Sequence, residues 1–343
     1  MFEACYIALA KSGELHRRVE AAHEQLRECR LCPRNCGVDR LNGELGFCRT
    51  GARAIVSSFA PHFGEEEPLV GHGGSGTIFF ASCNLRCVFC QNFEISHLME
   101  GREVEPEDLA WMMLGLQRTG CHNINFVTPS HVAAQLLAAL ELAVEAGLRV
   151  PLVYNTGGYD SIETLRLLDG IVDIYMPDLK CMDREVARIY LTAEDYPDVA
   201  RAALREMHRQ VGDLLLAPHP FYPFCPPDLS DLSGLSDPST ASNPSILSSP
   251  AIALRGVLVR HLVMPGGLAG ADEAMRFLAA EISRNTYVNI MAQYRPCGQA
   301  DDHPPINRPI TAAEYNAAVQ SALRAGLHRL DSRASPLRVH RLF

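Results

Sequence analysis

The sequence predicts an α/β protein with a parallel sheet. Six short apolar runs alternate in order with amphipathic stretches of helical periodicity. Hydrophobic residues make up 47% of the chain and charged residues 21%, which is the balance of an ordinary globular protein. Such alternation implies parallel strands with right-handed crossovers, in either an open sheet or a barrel-like array. In both arrangements ligands bind at the carboxyl ends of the strands.

The individual elements follow from periodicity and from helix boundary signals. A helix is predicted over 14–30, where apolar residues recur at helical spacing, and another begins at Pro106, because proline is tolerated in the first helical turn. The six predicted strands cover residues 77–82, 124–127, 150–154, 171–176, 257–263 and 287–294. Further helices are predicted over 130–146, 161–168, 184–209, 272–284 and 311–325.

The charge of the chain argues against two classes of partner. The 343 residues include 31 Lys and Arg against 40 Asp and Glu, a formal net charge of -9. Nucleic acids and anionic membranes both select for basic surfaces, so neither is expected as the main partner. The N-terminus has no basic stretch followed by a sustained apolar run, so no secretory signal is expected and the predicted location is the cytoplasm.

One segment interrupts the alternation of strands and helices. Residues 226–250 contain eight Ser, five Pro and no Lys or Arg. Such a composition buries too little apolar surface to offset its ordering entropy, so we expect a disordered surface insertion. The predicted organisation is therefore an N-terminal helix and cysteine-rich region (1–60), a core domain (61–330) that contains the insertion, and a C-terminal tail (331–343).

Twelve cysteines are many for a chain in a reducing compartment, where they indicate metal ligands or redox chemistry more often than disulfides. Seven of them fall in two tight groups, and for the other five we expect small buried hydrophobic residues. The five scattered cysteines are Cys5, Cys121, Cys181, Cys225 and Cys297.

The first group lies in a turn-rich segment that we call the knuckle (residues 29–48). Cys29, Cys32, Cys36 and Cys48 are spaced C-x2-C-x3-C-x11-C among glycines and a proline. Thiolates this close in sequence converge on one metal or cluster when a tight turn folds them together. The four thiols could close a zinc site, hold an iron–sulfur cluster, or stay reduced as a packed turn.

The second group has three cysteines rather than four. Cys83, Cys87 and Cys90 are spaced C-x3-C-x2-C and follow the first predicted strand of the alternating pattern, 77–82. A structural site closes itself, whereas a cubane cluster held by three thiolates keeps one iron open to an exogenous ligand. The count of three therefore indicates a site that binds something besides protein.

The segment CNLRCVFC (residues 83–90) resembles the signature of the radical S-adenosylmethionine (SAM) superfamily, which is C-x3-C-x-aromatic-C in the loop after the first barrel strand. Phe89 fills the aromatic position. The longer strings GSGTIFFASCNLRCVFCQN, YMPDLK, RHLVMPGG and NIMAQYRP are similar to a subgroup related to pyruvate formate-lyase activating enzymes. The likeness covers roughly residues 29–327, apart from the insertion.

This resemblance implies a partial (β/α)6 barrel of the TIM type that holds a 4Fe–4S cluster on Cys83, Cys87 and Cys90. The open iron is then chelated by SAM, whose reductive cleavage gives methionine and a 5′-deoxyadenosyl radical that abstracts a substrate hydrogen. The cofactor carries the hard chemistry while the protein positions it. The implied reductant is an electron donor such as flavodoxin or ferredoxin. The substrate stays open, with a glycyl-radical protein as one candidate.

The resemblance also implies positions that contact the cofactor at the ends of several strands. Phe89 is expected near the adenine, and an arginine on the fifth strand is expected to orient carboxylate and ribose groups, a bidentate task suited to guanidinium. The positions carried over are Phe89, Asn155, Thr156, Gly157, Asp178, Lys180 and Arg260. A local salt bridge at a strand end is the alternative role for Asp178 and Lys180.

The chain also departs from the family pattern. Many members carry Gly-Gly-Glu after the second strand, where this chain reads FVTPSH (residues 126–131). Thr128, Ser130 and His131 are the candidates to replace that contact with the cofactor's amino group. Near the sixth strand, a histidine of the activating enzymes is replaced by Gln293 or Tyr294.

Two other functions compete with the radical SAM enzyme of the activating type. The first is a non-catalytic zinc or iron–sulfur module that binds metal or senses redox state, and metal content after anaerobic purification discriminates it. The second is an RNA-modifying enzyme of the same superfamily. The acidic net charge argues against this RNA-modifying function.

Overall fold

Six parallel strands form the centre of the fold. The structure, a computed structural model, describes residues 2–218 and 251–331. The strands are β1 (Ala54–His62), β2 (Ser75–Phe80), β3 (Arg102–Val104), β4 (Ile124–Val127), β5 (Leu152–Thr156), β6 (Ile174–Pro177), β7 (Leu215–Pro218), β8 (Ala251–Leu262), β9 (Tyr287–Met291) and β10 (Arg329–Leu330).

Helices precede the sheet and connect its strands. The α-helices are α1 (Tyr6–Lys11), α2 (Glu14–Glu24), α3 (Glu67–Val70), α4 (Phe93–Ser96), α5 (Pro106–Arg118), α6 (Ala133–Glu145), α7 (Ile162–Leu167), α8 (Arg184–Leu191), α9 (Tyr196–Val211), α10 (Ala271–Phe277) and α11 (Ala312–Ala325). A π-helical turn, Leu278–Ile282, extends α10. Short 3-10 turns lie at Arg40–Asn42, Pro265–Gly267, Ala300–Asp302 and Pro304–Ile306.

The strand order confirms the predicted partial barrel. The sheet runs β10-β9-β8-β6-β5-β4-β2-β1-β3, with β7 paired to β8. Every neighbouring pair from β2 to β9 along this path is parallel. From β2 to β10 the strand order follows the chain without reversing, so these described strands contain no switch point of the kind that divides a doubly wound sheet. The described sheet ends at β3 on one side and β10 on the other, and it is therefore an open array of the TIM type.

The sheet is buried on both faces, because successive residues of a strand point to opposite sides. In β5, Tyr154 belongs to the large hydrophobic cluster that includes the helices. Its neighbour Val153 belongs to a separate inner cluster with Ile174, Met176 and Leu69. This inner cluster fills one part of the barrel interior. The polar side chains of the site lie on the same face, nearer the carboxyl ends of the strands.

The predicted elements differ from the observed ones mainly at their ends and at the sheet edges. The six predicted strands correspond to β2, β4, β5, β6, β8 and β9. The helix predicted over 184–209 is two helices, because Thr192 adopts a left-handed conformation (φ 57°) that ends α8, and Pro197 then lies in the first turn of α9. The antiparallel edge strands β1, β3 and β7 and the short β10 were not predicted.

The N-terminal segment packs directly on the barrel. The hydroxyl of Tyr6 donates to the carbonyl of Val150 at 2.8 Å, and Asp173 accepts from the N–H of Cys5 at 2.9 Å. The predicted boundary at residue 60 falls within β1, which pairs with β2. The insertion over 226–250, Cys225 and residues 332–343 of the predicted tail lie outside the described residues. Within the described ranges, no helix combines the length and apolarity needed to cross a membrane.

Candidate functional site

The loop after β2, which we call the cysteine loop (residues 82–90), turns sharply at the carboxyl end of the sheet. Ser82 and Arg86 have left-handed backbone conformations, with φ of 71° and 61°. A turn closes between the N–H of Cys90 and the carbonyl of Cys87 at 3.1 Å. The three cysteines Cys83, Cys87 and Cys90 thereby line one cavity. The local backbone, rather than long-range packing alone, brings the three thiols to one place.

Two of the three sulfurs accept hydrogen bonds. The N–H of Leu85 donates to Sγ of Cys83 at 3.3 Å, and the hydroxyl of Ser96 donates to Sγ of Cys90 at 3.1 Å. Such donors stabilise negative charge on sulfur and tune thiolate-bound clusters. Burial raises the pKa of the Cys87 and Cys90 thiols above their ordinary value. The thiols are therefore protonated in the absence of metal, and metal binding would release those protons.

A network of charged side chains lines the same cavity as the thiols. Asp178 accepts from Nε of Arg260 at 2.8 Å and from Nζ of Lys180 at 2.6 Å. Burial alone would raise the pKa of Asp178, but Arg260 and Lys180 outweigh it and hold that pKa below its ordinary value. Arg260 also donates to Oδ1 of Asn155 at 2.6 Å. The network leaves two buried cations held around one carboxylate, with a further acid, Glu65, 4.0 Å from Arg260.

Close backbone packing fixes the strand ends that carry this network. Gly158 has φ +80°, and a Cβ at this position would lie 2.3 Å from the carbonyl oxygen of Asp178. The hydroxyl of Tyr196 accepts from the N–H of Lys180 at 2.9 Å and lies 2.9 Å from the carbonyl oxygen of Gly157. The ends of β5 and β6 are therefore locked together by a glycine and a buried tyrosine.

Most of the residues carried over from the family line the same cavity as the three thiols. This cavity, which we call the site cavity, has a volume of about 140 Å³. Phe89 is absent from its lining among the described residues; it is buried and packs against Tyr294, with ring centroids 6.1 Å apart. The carried-over residues that do line it are Asn155, Thr156, Gly157, Asp178, Lys180 and Arg260.

The three candidates for the missing Gly-Gly-Glu contact occupy different places. Thr128 lines the site cavity, with a left-handed φ of 62°. Ser130 instead lies within hydrogen-bond distance of the Thr156 hydroxyl, at 3.0 Å. His131 points elsewhere, because its Nε2–H donates to the carbonyl of Ala81 at 3.0 Å. Only Thr128 of the three is in reach of a group bound in the cavity.

Sequence reasoning missed several residues that shape the site. Ser96, Tyr196 and Glu65 lie in helices or turns with no motif around them. Each contacts a site residue because the fold places it there, and none is adjacent to its partner in the sequence. Leu85, Phe79 and Val127 form apolar parts of the cavity wall. No spacing pattern in the sequence signals these side chains, because they are brought in from separate elements.

The knuckle forms a second cysteine site beside the first. Cys29, Cys32, Cys36 and Cys48 all line one small cavity, the knuckle cavity, of about 10 Å³. Burial raises the pKa of Cys32 to about 12. Across residues 2–218 and 251–331, no group of three or more His, Cys, Asp or Glu forms a ready site for a single metal ion. The sulfurs that hold a cubane cluster do not have to point at one atom, because each thiolate binds a different iron.

Comparison with known proteins assigns the region that contains the cysteine loop. Residues 77–217 match the family model described as the Radical SAM superfamily. Residues 77–217 form a radical SAM domain. The chain is also 28% identical over 324 residues to the uncharacterized protein MJ0674 of Methanocaldococcus jannaschii, an alignment that covers 92% of this chain and 80% of that protein.

A radical SAM domain implies a 4Fe–4S cluster and SAM, and it supports a radical SAM enzyme. The side chains that line the site cavity suit this pair of groups. They include three thiols, where a closed structural site would need four, together with polar side chains such as Asn155 and Thr156. The domain carries no indication of the substrate, and the relative in M. jannaschii has no described function.

Proposed function

We propose that this chain is a radical SAM enzyme of the activating type, which abstracts a hydrogen atom from a glycine residue of a partner protein. The supporting observation is that the three thiols of the cysteine loop share one cavity with Asn155, Asp178, Lys180 and Arg260. The motif strings that resemble the activating enzymes contain three of these residues, Asp178, Lys180 and Arg260.

In this proposal Cys83, Cys87 and Cys90 hold the cluster. When bound there, the cluster would supply the single electron for reductive cleavage of SAM. The protein's part is to orient and shield. The N–H of Leu85 and the hydroxyl of Ser96 hold the sulfur ligands in place through the hydrogen bonds described above.

The charged network is proposed to orient the cofactor's polar end. Nζ of Lys180 carries three N–H groups, of which Asp178 accepts one, so the ammonium has further donors for a carboxylate in the cavity. Arg260 donates to both Asp178 and Asn155, which keeps these side chains from rearranging as a ligand enters. Thr128 offers a hydroxyl where other members carry Gly-Gly-Glu. The apolar wall of Phe79, Leu85 and Val127 limits the access of water to reactive groups.

The knuckle is proposed to bind a second metal centre on Cys29, Cys32, Cys36 and Cys48, either a zinc ion or an iron–sulfur cluster. We also propose that a low-potential carrier such as flavodoxin or ferredoxin supplies the electron. The many free thiols fit a reducing compartment such as the cytoplasm.

Cleavage of SAM tests the core of the proposal. Anaerobically reconstituted wild-type protein should release 5′-deoxyadenosine with dithionite, and Cys83→Ala should lose this activity by at least about 100-fold, because one cluster ligand is gone. Cys121→Ala is the matched control, since Cys121 is buried three residues before β4 and its thiol lies 3.7 Å from the hydroxyl of Thr119. Cleavage that survives in Cys83→Ala would contradict the proposal, and bound metal without cleavage in wild type would favour a non-catalytic module.

Isotope transfer tests the activating type. A glycyl-radical protein labelled with deuterium at its glycine Cα positions should transfer deuterium into 5′-deoxyadenosine and develop a glycyl-radical signal in electron paramagnetic resonance (EPR). An unlabelled copy of the same protein is the control. Deoxyadenosine that forms without deuterium, with no organic radical on any glycyl-radical protein offered, would contradict the activating type while leaving SAM cleavage established.

A further inference from the structure

The backbone of the knuckle gathers its four cysteines around one enclosed point. The N–H of Cys29 donates to the carbonyl of Val38 at 2.9 Å, and the N–H of Gly37 returns to the carbonyl of Cys29 at 3.1 Å. Gly46 must be glycine, because a Cβ there would lie 2.8 Å from Sγ of Cys36. The knuckle cavity that results has room for about one water-sized sphere.

Two buried side chains on this cavity, His131 and Arg40, each have one nitrogen without a hydrogen-bond partner in the described structure. His131 is 1% exposed, and because its Nε2–H is given to Ala81, its Nδ1 carries a lone pair that nothing meets. Arg40 is also 1% exposed; Nη1 donates to the carbonyl of His131 at 2.9 Å and lies 3.7 Å from Sγ of Cys29, while Nη2 has no partner. Both residues line the knuckle cavity.

These two groups indicate what the cavity holds. A buried guanidinium without an anion costs several kcal/mol, and no carboxylate in the described ranges forms an ion pair with Arg40. Thiolates around a metal centre leave a net negative charge, which would compensate Arg40. An imidazole whose other nitrogen is fixed by a backbone carbonyl is the arrangement typical of histidines beside metal. Four neutral thiols would leave both groups uncompensated.

The knuckle is also bonded directly to the cysteine loop. Arg34, which lies between Cys32 and Cys36, donates from Nε to the carbonyl of Asn84 at 2.7 Å and from Nη2 to the carbonyl of Leu85 at 3.4 Å. The hydroxyl of Ser82 donates to the carbonyl of Cys48.

The third link runs through His131, which lines the knuckle cavity and holds Ala81. All three links end within residues 81–85, on either side of Cys83. The knuckle is therefore hydrogen-bonded to residues on both sides of the first cysteine of the site.

We propose that the knuckle holds a thiolate-bound metal centre and that this centre fixes the position of the cysteine loop through Arg34, Ser82 and His131. The centre joins the two arms of the knuckle, so the segments that carry Arg34 and Cys48 cannot separate. The inference rests on the proposed function only in that the cysteine loop carries the site cluster. Arg34 is a positioning residue, since it contacts the loop backbone and lines no part of the site cavity.

Metal analysis tests the first half. A triple variant with Cys83, Cys87 and Cys90 changed to alanine removes the site cluster and should retain either one zinc or about four irons with sulfide. Adding Cys36→Ser to that background should remove this metal. Absence of metal from the anaerobically purified triple variant, together with a native circular dichroism spectrum, would overturn the proposal. Zinc and iron are both supporting results, and they identify the centre.

Spectroscopy of the site cluster tests the second half. Arg34→Gln and Cys36→Ser should change the EPR g-values of the dithionite-reduced site cluster and weaken SAM binding by about 10-fold. Arg27→Gln is the control, because Arg27 is an exposed arginine of the same region that pairs with Glu24. Wild-type g-values and SAM affinity in both Arg34→Gln and Cys36→Ser would overturn the coupling. Wild-type protein that holds the knuckle metal but never cleaves SAM would instead defeat the proposed function alone.

Discussion

The two cysteine sites of this chain lie side by side and differ in what they leave open. The site cavity has three thiols and about 140 Å³ of space, whereas the knuckle cavity has four thiols and about 10 Å³. The site cavity is lined by one carboxylate, Asp178, and three cations, Arg86, Lys180 and Arg260. The knuckle cavity is lined by two arginines, Arg34 and Arg40, and by His131. A cavity with free space and side chains of both charges can bind a further ligand. A small cavity lined by thiols and cations has room only for a metal centre that the thiols themselves bind.

The two sites also differ in the groups that balance the charge of their cations. In the site cavity Asp178 compensates Arg260 and Lys180, and all three are charged before any ligand binds. In the knuckle the compensation of Arg40 has to come from the bound centre. The site is therefore expected to tolerate loss of its cluster better than loss of Asp178, whereas the knuckle is expected to depend on its metal.

The largest effect should come from Asp178→Asn. This change leaves two buried cations without their shared carboxylate, so the free energy of unfolding should fall by about 3 kcal/mol and SAM cleavage should be lost. Urea unfolding and deoxyadenosine release measure the two effects. Glu185→Gln is the control, since its pair with Arg188 is exposed, and no measurable change is expected there. A loss below about 1 kcal/mol would show that Asp178 is not the centre of the network.

A smaller effect, divided between the two sites, should come from two glycine substitutions. Gly158→Ala forces a left-handed alanine against the carbonyl of Asp178, which should cost about 2 kcal/mol and impair SAM cleavage. Gly46→Ala drives a methyl group into Cys36 and should lower the metal content of the knuckle. Gly43→Ala is the control for Gly158→Ala, because its φ of +84° carries similar conformational strain with nothing within 4 Å of the added Cβ.

Unfolding by urea and elemental analysis separate these outcomes. If Gly46→Ala keeps all its metal, the knuckle does not depend on the close packing of Cys36. If Gly158→Ala behaves like Gly43→Ala, the contact between the ends of β5 and β6 does not shape the site.

The barrel could be predicted from the sequence because its six parallel strands are apolar runs with helices between them. The edge strands β1, β3 and β7 were missed since they pair antiparallel at the margins of the sheet, where burial alternates or is weak and no continuous apolar run marks them. The break between α8 and α9 depends on one left-handed residue, Thr192, which no residue preference signals.

The site residues also divide into those that a local sequence pattern predicts and those that only the fold brings together. The three cysteines could be found from their spacing, because a single loop carries them, and a family pattern reached the residues at the strand ends. The neighbours that tune or brace them, such as Ser96, Tyr196 and Arg34, are 6 to 51 positions away from their site partners in the chain. Only the folded topology brings them into contact, so no local pattern could predict them.

The smallest effect should come from the side-chain donor to a sulfur ligand. In the knuckle, the backbone N–H of Phe47 donates to Sγ of Cys36, and no side-chain substitution removes it. In the site, the hydroxyl of Ser96 donates to Sγ of Cys90 and can be removed by mutation. Ser96→Ala removes one hydrogen bond of about 1 kcal/mol, which favours the more negative, reduced cluster, so the reduction potential should fall by roughly 40 mV.

A redox titration followed by EPR measures this shift, with Ser321→Ala as the control, because Ser321 is a buried serine that donates to Ala317 in α11. An unchanged potential in Ser96→Ala would mean that Cys90 is not a cluster ligand or that water replaces the hydroxyl. Cluster iron content separates these two results, since only the loss of a true ligand in Cys90→Ala lowers it. A full shift with unchanged iron would show that the hydroxyl of Ser96 tunes the cluster in the open site.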